Sequence, residues 1–430
     1  MNIITSQPLS LVVIINILQK VFSYSIFFIL AYILSHNEYG LFETIYSIGY
    51  FGVMVFGLQA ESAFARYYYI DKENNQLSKS IFNVILIYLF GSILFFSLFQ
   101  LFNPRFFQFD NSNLSIYLLL FVIINLIYSL VLIYFRFEAI YKIYIAAIIY
   151  EIITFFSLLG FFYLKNLLSI EYLLILFSMP KLSILFYILF TKASKDAFQI
   201  SIPTITKYLK YSINIIPVVA ISFGVLMFSR IFVLNNFNDL TLSNYSMGLR
   251  ISMAYLFFNE VFRFIVDPVM IKKDRTENVE SLMENVFIKY TELLLYFNIF
   301  MIISFYFLNI YFLSYRFEDL AMFMPYLFLA NFFNLLINYF LLVHNLNFKT
   351  IYNFIAFFIG AIIFSLSLYL SVLSVTSLLF SLLLFYFSTF IIVFFLSKKN
   401  STIKLNFKYV YISLFIMLIN LFIESGFLIK

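Results

Sequence analysis

The sequence contains no cysteine and no tryptophan, and only 11% of its 430 residues are charged. The lack of cysteine excludes disulfide bonds and thiolate metal sites. An ordinary soluble domain has about 25% charged residues, whereas 63% of this chain is hydrophobic, which leaves too little polar surface for a water-soluble globule. The composition therefore predicts an integral membrane protein, in which the 34 tyrosines supply most of the aromatic belt at the membrane surface.

Residues that commonly carry enzyme chemistry are also scarce. His36 and His344 are the two histidines, and both lie near the ends of apolar runs. The sequence has no His-Glu-x-x-His pattern, no phosphate-binding G-x-x-x-x-G-K-[ST] loop and no dinucleotide-binding G-x-G-x-x-G pattern. These absences predict a protein that is not an enzyme and that uses no cofactor or metal. The net charge of +6 is attributed to membrane topology and not to nucleic-acid binding.

Long apolar runs recur from one end of the chain to the other. A helix of about 20 apolar residues crosses a hydrocarbon core about 30 Å thick, and a membrane barrel would show short alternating segments instead. We therefore predict an all-α integral membrane protein with 12 core transmembrane helices and an additional C-terminal segment that is either a thirteenth span or interfacial. The predicted spans are 9–34, 40–66, 80–102, 114–135, 144–164, 168–190, 211–234, 240–266, 285–313, 317–343, 350–371, 374–397 and 409–427.

Lysine and arginine collect on alternate connections between the spans. Because basic residues are retained on the cytoplasmic side, this bias places the N-terminus inside the cell. The longest cytoplasmic connections are then 191–210 and 267–284. The first apolar run lacks the basic start and the cleavage site of a signal peptide, so it is predicted to be the first span. Outside connections hold few basic residues: Arg105, Lys165, Arg316 and Lys430.

A short pattern occurs twice in the chain. Tyr46-Ser-Ile-Gly49 and Tyr245-Ser-Met-Gly248 are 199 residues apart, and the same offset relates Glu61 to Glu260. Span two would then correspond to span eight, which predicts a parallel repeat of two six-helix bundles, a transporter design; chance similarity is the alternative. The predicted domains are an N-terminal bundle at 1–190, a cytoplasmic linker at 191–210, a C-terminal bundle at 211–397, and a basic loop with a hydrophobic segment at 398–430.

Ionisable residues inside the spans are the candidate functional residues. A charge at the membrane centre costs roughly 2.5–3.5 kcal/mol, so those present usually face a cavity or a partner. Lys20 and Arg250 lie deep in spans one and eight without an obvious acidic neighbour on their own helix. Glu61 lies in span two, and Glu260 lies in span eight, three residues before a basic residue with which it could pair.

Structural pairing is the alternative to a functional role for each of these charges. Arg230 lies near the outer end of span seven, where snorkelling of the side chain explains it. Glu151 and Lys181 lie in spans five and six and could form a pair between them. Lys20, Arg250, Glu61, Arg230 and Glu260 are the predicted substrate-binding residues. A cavity lined by the first two helices of each half would be net cationic, which indicates an anionic cargo.

The run Leu34-Ser-His-Asn-Glu-Tyr-Gly-Leu-Phe42, followed by Gly57-Leu58 and Ala65-Arg-Tyr-Tyr68, resembles the early signature of the polysaccharide transport proteins. These are lipid-linked oligosaccharide flippases, of the O-antigen or Wzx type, in the multidrug/oligosaccharidyl-lipid/polysaccharide (MOP) exporter superfamily. The resemblance implies two bundles with spans one, two, seven and eight around a cationic lumen. It supports Lys20, Glu61 and Arg250 as lumen residues and gives weaker support to Arg230.

The resemblance implies a flippase that moves an undecaprenyl-diphosphate-linked oligosaccharide across the bacterial inner membrane by alternating access. Its expected partners are this substrate, membrane lipid and other proteins of glycan assembly, and nucleic acid is not among them. Two alternatives stay open. A multidrug exporter of the same superfamily would take organic cations and should have an acidic cavity. A membrane enzyme of glycan assembly, such as a polymerase, should carry a large external loop, and the outside connections are short.

Overall fold

The computed structural model describes residues 7–102, 113–138, 140–192, 199–259, 262, 279–346, 350–400 and 406–424. Within these ranges the regular elements are helices, with no strand, which confirms the all-α prediction. Nine helices in the described part of the chain are long and apolar enough to cross a membrane, and the shorter apolar helices Val21–Ile33 and Lys408–Ile423 accompany them. Each span predicted from the sequence overlaps a helix.

The helices follow one another with short connections. In chain order they are α1 (Gln7–Ile33), α2 (His36–Phe51), α3 (Ala60–Glu73), α4 (Leu77–Phe102), α5 (Leu114–Phe137), α6 (Tyr141–Leu164), α7 (Ile170–Lys192), α8 (Ile202–Ser212), α9 (Ile216–Asn236), α10 (Asp239–Ser252), α11 (Val279–Leu308), α12 (Leu320–Leu346), α13 (Thr350–Leu370), α14 (Val375–Asn400) and α15 (Lys408–Glu424).

Span two is interrupted along its length. A π-helical turn, Gly52–Phe56, follows α2, and α3 begins only at Ala60. Leu58 and Gln59, between them, adopt positive φ values of 50°. The Gln59 side chain donates a hydrogen bond to the Met54 carbonyl (2.9 Å), so it satisfies a backbone acceptor at the interruption. The apolar run 40–66 therefore lies in one candidate span, His36–Glu73, which a π-helical turn and two left-handed residues divide into α2 and α3.

The chain divides into two compact units. Unit 1 comprises Met1–Ser23 and Leu41–Ile231. Within it α5 packs against α4 and α7, α6 packs against α7, and α3 packs against α4 and α8. Its interior includes an aromatic group in which the Phe177 ring lies 5.8 Å from that of Phe42 and 5.1 Å from that of Phe155.

Unit 2 comprises Tyr24–Gly40 and Phe232–Lys430. Its central helix is α12, which packs against α10, α14 and α15, while α13 covers α14 and α15 also contacts α11. The described part of the C-terminal segment predicted at 409–427 is thus a helix, Lys408–Glu424, that packs on this unit. Residues 211–231 are grouped with unit 1, and the predicted bundle limits at 190 and 211 stay a prediction.

Candidate substrate site

Arg250 lies in the last turn of α10, in unit 2, and only 9% of its surface is exposed. The central carbon of its guanidinium lies 3.5 Å from the ring centroid of Phe27, which is itself buried. A guanidinium on the face of an aromatic ring is stabilised by the ring quadrupole. Arg250 is therefore a buried cation that an aromatic ring stabilises.

Phe27 is held against Arg250 because the second half of α1 is fastened to unit 2. The Tyr24 hydroxyl donates to the Met253 carbonyl (2.5 Å), just beyond the end of α10. At the other end, the Arg316 guanidinium donates to the carbonyls of Tyr32 (3.0 Å) and Leu34, which lie at the C-terminus of α1. These bonds satisfy carbonyls that a helix end leaves without an intrahelical partner.

Arg230, in α9 of unit 1, is 2% exposed, and its Nη2 atom lies 3.6 Å from Oε2 of Glu43 in α2. Glu43 is completely buried. The explanation of Arg230 by snorkelling is therefore wrong, because the guanidinium faces an acid on another helix and not the membrane surface. A buried cation next to a buried anion is typical of a structural ion pair.

Glu61 lies in the first turn of α3, directly after the interruption of span two. Its Oε2 atom accepts a hydrogen bond from the Ser129 hydroxyl of α5 (2.9 Å), within unit 1. A carboxylate in the first turn also interacts favourably with the N-terminal end of the helix dipole. Glu61 is therefore positioned on the α5 side of α3 and stabilised there.

The two remaining predicted site residues are described less fully. Lys20 lies near the middle of α1, but its side chain is outside the described part of the structure. Glu260 is also outside the described residues, so its predicted match to Glu61 stays a prediction. Of the predicted site residues, Glu61 and Arg230 lie in unit 1, where they contact different partners, and Arg250 lies in unit 2.

A polar network lies in the interior of unit 1 and includes Glu151 and Lys181, whose role the sequence did not decide. Lys181 Nζ of α7 lies 3.8 Å from Oε1 of Glu151 in α6. Lys181 also donates to Oδ1 of Asn125 (2.7 Å), and Glu151 accepts from the Tyr128 hydroxyl (2.8 Å) and from Nε2 of Gln19 (3.4 Å). Glu151 and Lys181 thus form the structural pair that the sequence analysis offered as one interpretation of these charges. The network around them joins α1, α5, α6 and α7.

Two buried carboxylates were missed by the sequence reasoning. Glu43 pairs with Arg230, and Asp71, near the end of α3, is 2% exposed. Asp71 accepts hydrogen bonds from Ser80, Lys207 and Tyr208. Burial and the bond to Asp71 raise the pKa of the Tyr208 hydroxyl well above its usual range. Glu43 could have been noticed in the sequence as an acidic residue within the apolar run 40–66. Its partner, Arg230, could be identified only from the fold.

The described residues contain no group of three or more His, Asp and Glu side chains that could hold a metal ion. These residues offer a buried arginine on an aromatic face in unit 2 and several acid-base pairs in unit 1. Chemically, this arrangement can bind a negatively charged group, since arginine pairs with carboxylate and phosphate oxygens in a bidentate manner.

Solved structures with a similar fold are transporters. A multidrug resistance MATE family transporter of the MOP superfamily, in an inward-facing conformation, matches 90% of this chain and 98% of its own with a TM-score of 0.66 and 11% identity. An outward-facing MATE transporter matches 91% and 94%, with a TM-score of 0.62 and 13% identity. A mutant of the Vibrio cholerae MATE transporter VcmN matches 90% of this chain and 94% of its own, with a TM-score of 0.62 and 10% identity.

No protein-family model matches the sequence, and no curated protein matches it. The structural similarity establishes the fold alone: this chain has the all-helical fold of the MATE transporters, in which 12 transmembrane helices form two bundles. The fold expected from the early sequence signature is therefore the fold of these structures. Both this fold and the many apolar helices indicate a multi-pass membrane protein.

Proposed function

We propose that this protein is a flippase that moves an undecaprenyl-diphosphate-linked oligosaccharide from the cytoplasmic to the outer leaflet of the bacterial inner membrane. The observation that carries the proposal is Arg250, a cation kept in the apolar interior of a transporter fold with its guanidinium 3.5 Å from the Phe27 ring centroid. The Leu34 to Tyr68 signature supports the cargo class, because it resembles that of the lipid-linked oligosaccharide flippases.

The physical task is to carry a sugar and a diphosphate through hydrocarbon that excludes both. A hydrated basic cavity accommodates the head group while the polyprenyl tail stays in lipid. Rocking of two helical bundles then opens the cavity to each side in turn. In this mechanism Arg250 and Lys20 bind the diphosphate, and Glu61 keeps the cations apart or takes part in cation coupling. Glu260 stays a predicted substrate-binding residue, whereas Arg230, predicted as one, holds α9 to α2 through Glu43.

A multidrug exporter is the second candidate function, because two of the similar structures are named multidrug resistance transporters. Such an exporter would bind organic cations, for which a carboxylate and not an arginine is the suitable partner. Glu61 and Glu151 are the acids in unit 1 that this function would use. Each already accepts a hydrogen bond within the unit, from Ser129 and Tyr128 respectively. An arginine such as Arg250 is a partner for anions and not for organic cations, so we favour the anionic cargo.

Deletion of the gene in its own host separates the two functions. For a flippase, surface glycan should disappear and the lipid-linked oligosaccharide should accumulate in membrane extracts, while sensitivity to cationic dyes stays unchanged. A plasmid copy of the wild-type gene should restore the glycan. Increased dye sensitivity with normal surface glycan would instead establish the multidrug function, and accumulation of flipped but unpolymerised units would indicate the enzyme of glycan assembly.

A further inference from the structure

Helix α10 carries several polar residues, although every residue from Leu242 to Ser252 is buried. Two of its three serines have hydrogen-bond partners. The Ser243 hydroxyl lies 3.1 Å from Nδ1 of His36, and the Ser252 hydroxyl donates to a backbone carbonyl of its own helix (2.9 Å). The third, Ser246, is completely buried, and in the described part of the structure its hydroxyl has no hydrogen-bond partner.

The missing bond of Ser246 is unusual for a serine inside a helix. Such a hydroxyl ordinarily donates to the carbonyl four residues earlier. Ser47, at the same place in the Tyr-Ser-x-Gly pattern of α2, donates to the Glu43 carbonyl (2.7 Å), and Ser178 of α7 donates to that of Leu174 (2.8 Å). A buried hydroxyl without a partner costs free energy, so the repeated pattern contains a satisfied serine in α2 and an unsatisfied one in α10.

The position of Ser246 on α10 relates it to Arg250. The two residues are four apart, so they lie on the same face of the helix, one turn from each other. Gly248 lies on the side that packs against α12, because a Cβ there would be 2.9 Å from Leu327. At about 100° per residue, Ser246 and Arg250 are both about 160° from Gly248 around the helix axis. The contact with α12 therefore does not use the face that carries them.

This face of α10 combines a hydroxyl with a charge. The Arg250 guanidinium has its central carbon 3.5 Å from the ring centroid of Phe27. Arginine has N–H donors and no acceptor, and serine has one O–H donor. One helical turn separates the two residues by about 5.4 Å along the axis. A group that suits both side chains is therefore rich in acceptors and negatively charged, as phosphate oxygens are.

We propose that Ser246 is a substrate-binding residue, whose hydroxyl donates to a phosphate oxygen of the diphosphate head group beside the charge of Arg250. The proposal rests on the proposed function, since it takes the diphosphate as cargo, and it adds a residue that the sequence analysis did not single out. Ser246 is 0% exposed and Arg250 9%, so the head group reaches both when the transport cycle opens the cavity. Binding then supplies the partner that the hydroxyl lacks.

The first test measures binding by full-length protein in lipid nanodiscs, with farnesyl diphosphate as the probe. Ser246→Ala should weaken binding by about tenfold, as expected for one hydrogen bond to a charged oxygen. Ser246→Cys keeps the size of the side chain but replaces the hydroxyl by a weak donor, so it should lose nearly as much. Ser47→Ala is the matched control and should bind as the wild type does. Farnesol, which lacks the diphosphate, reports binding through the tail and should not distinguish the variants.

Two results would separate this proposal from the proposed function. Wild-type affinity in Ser246→Ala, together with reduced affinity in Arg250→Gln, would overturn the role of Ser246 and leave the anionic cargo in place. No binding of farnesyl diphosphate by the wild-type protein would refute the anionic cargo and this proposal with it. An equal loss in Ser47→Ala and Ser246→Ala would also overturn the role of Ser246, because the effect would not depend on the face of α10.

The second test separates binding from a structural role. Without ligand, Ser246→Ala removes an unsatisfied buried hydroxyl, so its melting temperature in detergent should equal or exceed that of the wild type. Farnesyl diphosphate should raise the melting temperature of the wild type more than that of Ser246→Ala, because the stabilisation by a ligand follows its affinity. A lower melting temperature of the unliganded variant would show that the hydroxyl supports the fold and would refute the proposal.

Discussion

The part of α2 that lies in unit 1 and helix α10 in unit 2 carry the same Tyr-Ser-x-Gly pattern, yet they use buried charge differently. In both, the glycine permits close packing: a Cβ on Gly49 would lie 2.9 Å from Phe121 of α5, and one on Gly248 would lie 2.9 Å from Leu327 of α12. In α2, however, the buried charge is Glu43, next to Arg230. In α10 it is Arg250, on the Phe27 ring.

This comparison shows that a repeated backbone pattern does not imply a repeated function. α5 and α12 contain the fourth and the tenth predicted span, six spans apart, so the two glycine contacts agree with the parallel repeat. An acid-base pair neutralises its own charge and mainly holds helices together. The guanidinium of Arg250 is stabilised by an aromatic ring, and arginine is a suitable partner for carboxylate and phosphate oxygens. We therefore expect the two arginines to respond differently to substitution.

The largest effect is expected at the Glu43–Arg230 pair. Arg230→Gln should lower the free energy of unfolding by about 3–5 kcal/mol, because it leaves a completely buried carboxylate without its cation. Thermal unfolding in detergent and protein abundance in membranes measure the loss. The double variant Glu43→Gln with Arg230→Gln should recover most of the stability. Wild-type stability in both single variants would show that the two groups do not interact.

Arg250 should affect transport more than stability. Arg250→Gln should abolish surface glycan while the protein stays at near-normal abundance, and Arg250→Lys should keep partial activity because the charge remains without the bidentate fork. Surface glycan and protein level are measured together in the deletion host. Normal glycan with Arg250→Gln would end the claim that this residue binds the cargo, and a fall in abundance like that of Arg230→Gln would make it a structural residue.

The two glycines should differ by a smaller amount. Gly49→Ala forces a methyl group against the Phe121 ring and should destabilise unit 1 by about 1–2 kcal/mol. At Gly248 the nearest atom is the mobile end of Leu327, so the gain of about 0.5–1 kcal/mol from alanine in a helix should nearly cancel the cost. Gly160→Ala in α6, with no atom within 4 Å of the new Cβ, is the control and should be neutral or stabilising. Equal losses at 49 and 248 would contradict this ranking.

The smallest effect is expected at an exposed pair in unit 1. Lys72 Nζ lies 2.8 Å from Glu138 Oε1, with 48% and 20% of the two side chains exposed, so the pair should contribute less than about 1 kcal/mol. Hydrogen bonds from Lys72 and from Tyr68 lower the pKa of Glu138. A lowered carboxyl pKa adds stability at neutral pH that disappears as the pH falls through the folded value. Melting temperatures of wild type and Glu138→Gln should therefore differ slightly at pH 7 and converge in acid.

The sequence predicted the helices well, because hydrophobic length is a local property that survives in the fold. It could not assign partners to buried charges, since these come from other helices. Arg230 was therefore explained by snorkelling although Glu43, more than 180 residues earlier, faces it. For the same reason, the sequence left open whether Glu151 and Lys181 pair with each other or have a functional role. Helix α8 was taken as linker, although Ser201 and Pro203 supply the start signals of a helix.

The neutral pair in unit 1 also has an electrical consequence. A single charge that crosses the membrane field gains or loses about 2.3 kcal/mol per 100 mV. Glu43 and Arg230 lie 3.6 Å apart with opposite sign, so when they move as one body the work done by the membrane potential on one cancels the work done on the other. However far α2 and α9 move together, this pair therefore adds almost nothing to the voltage dependence of the movement.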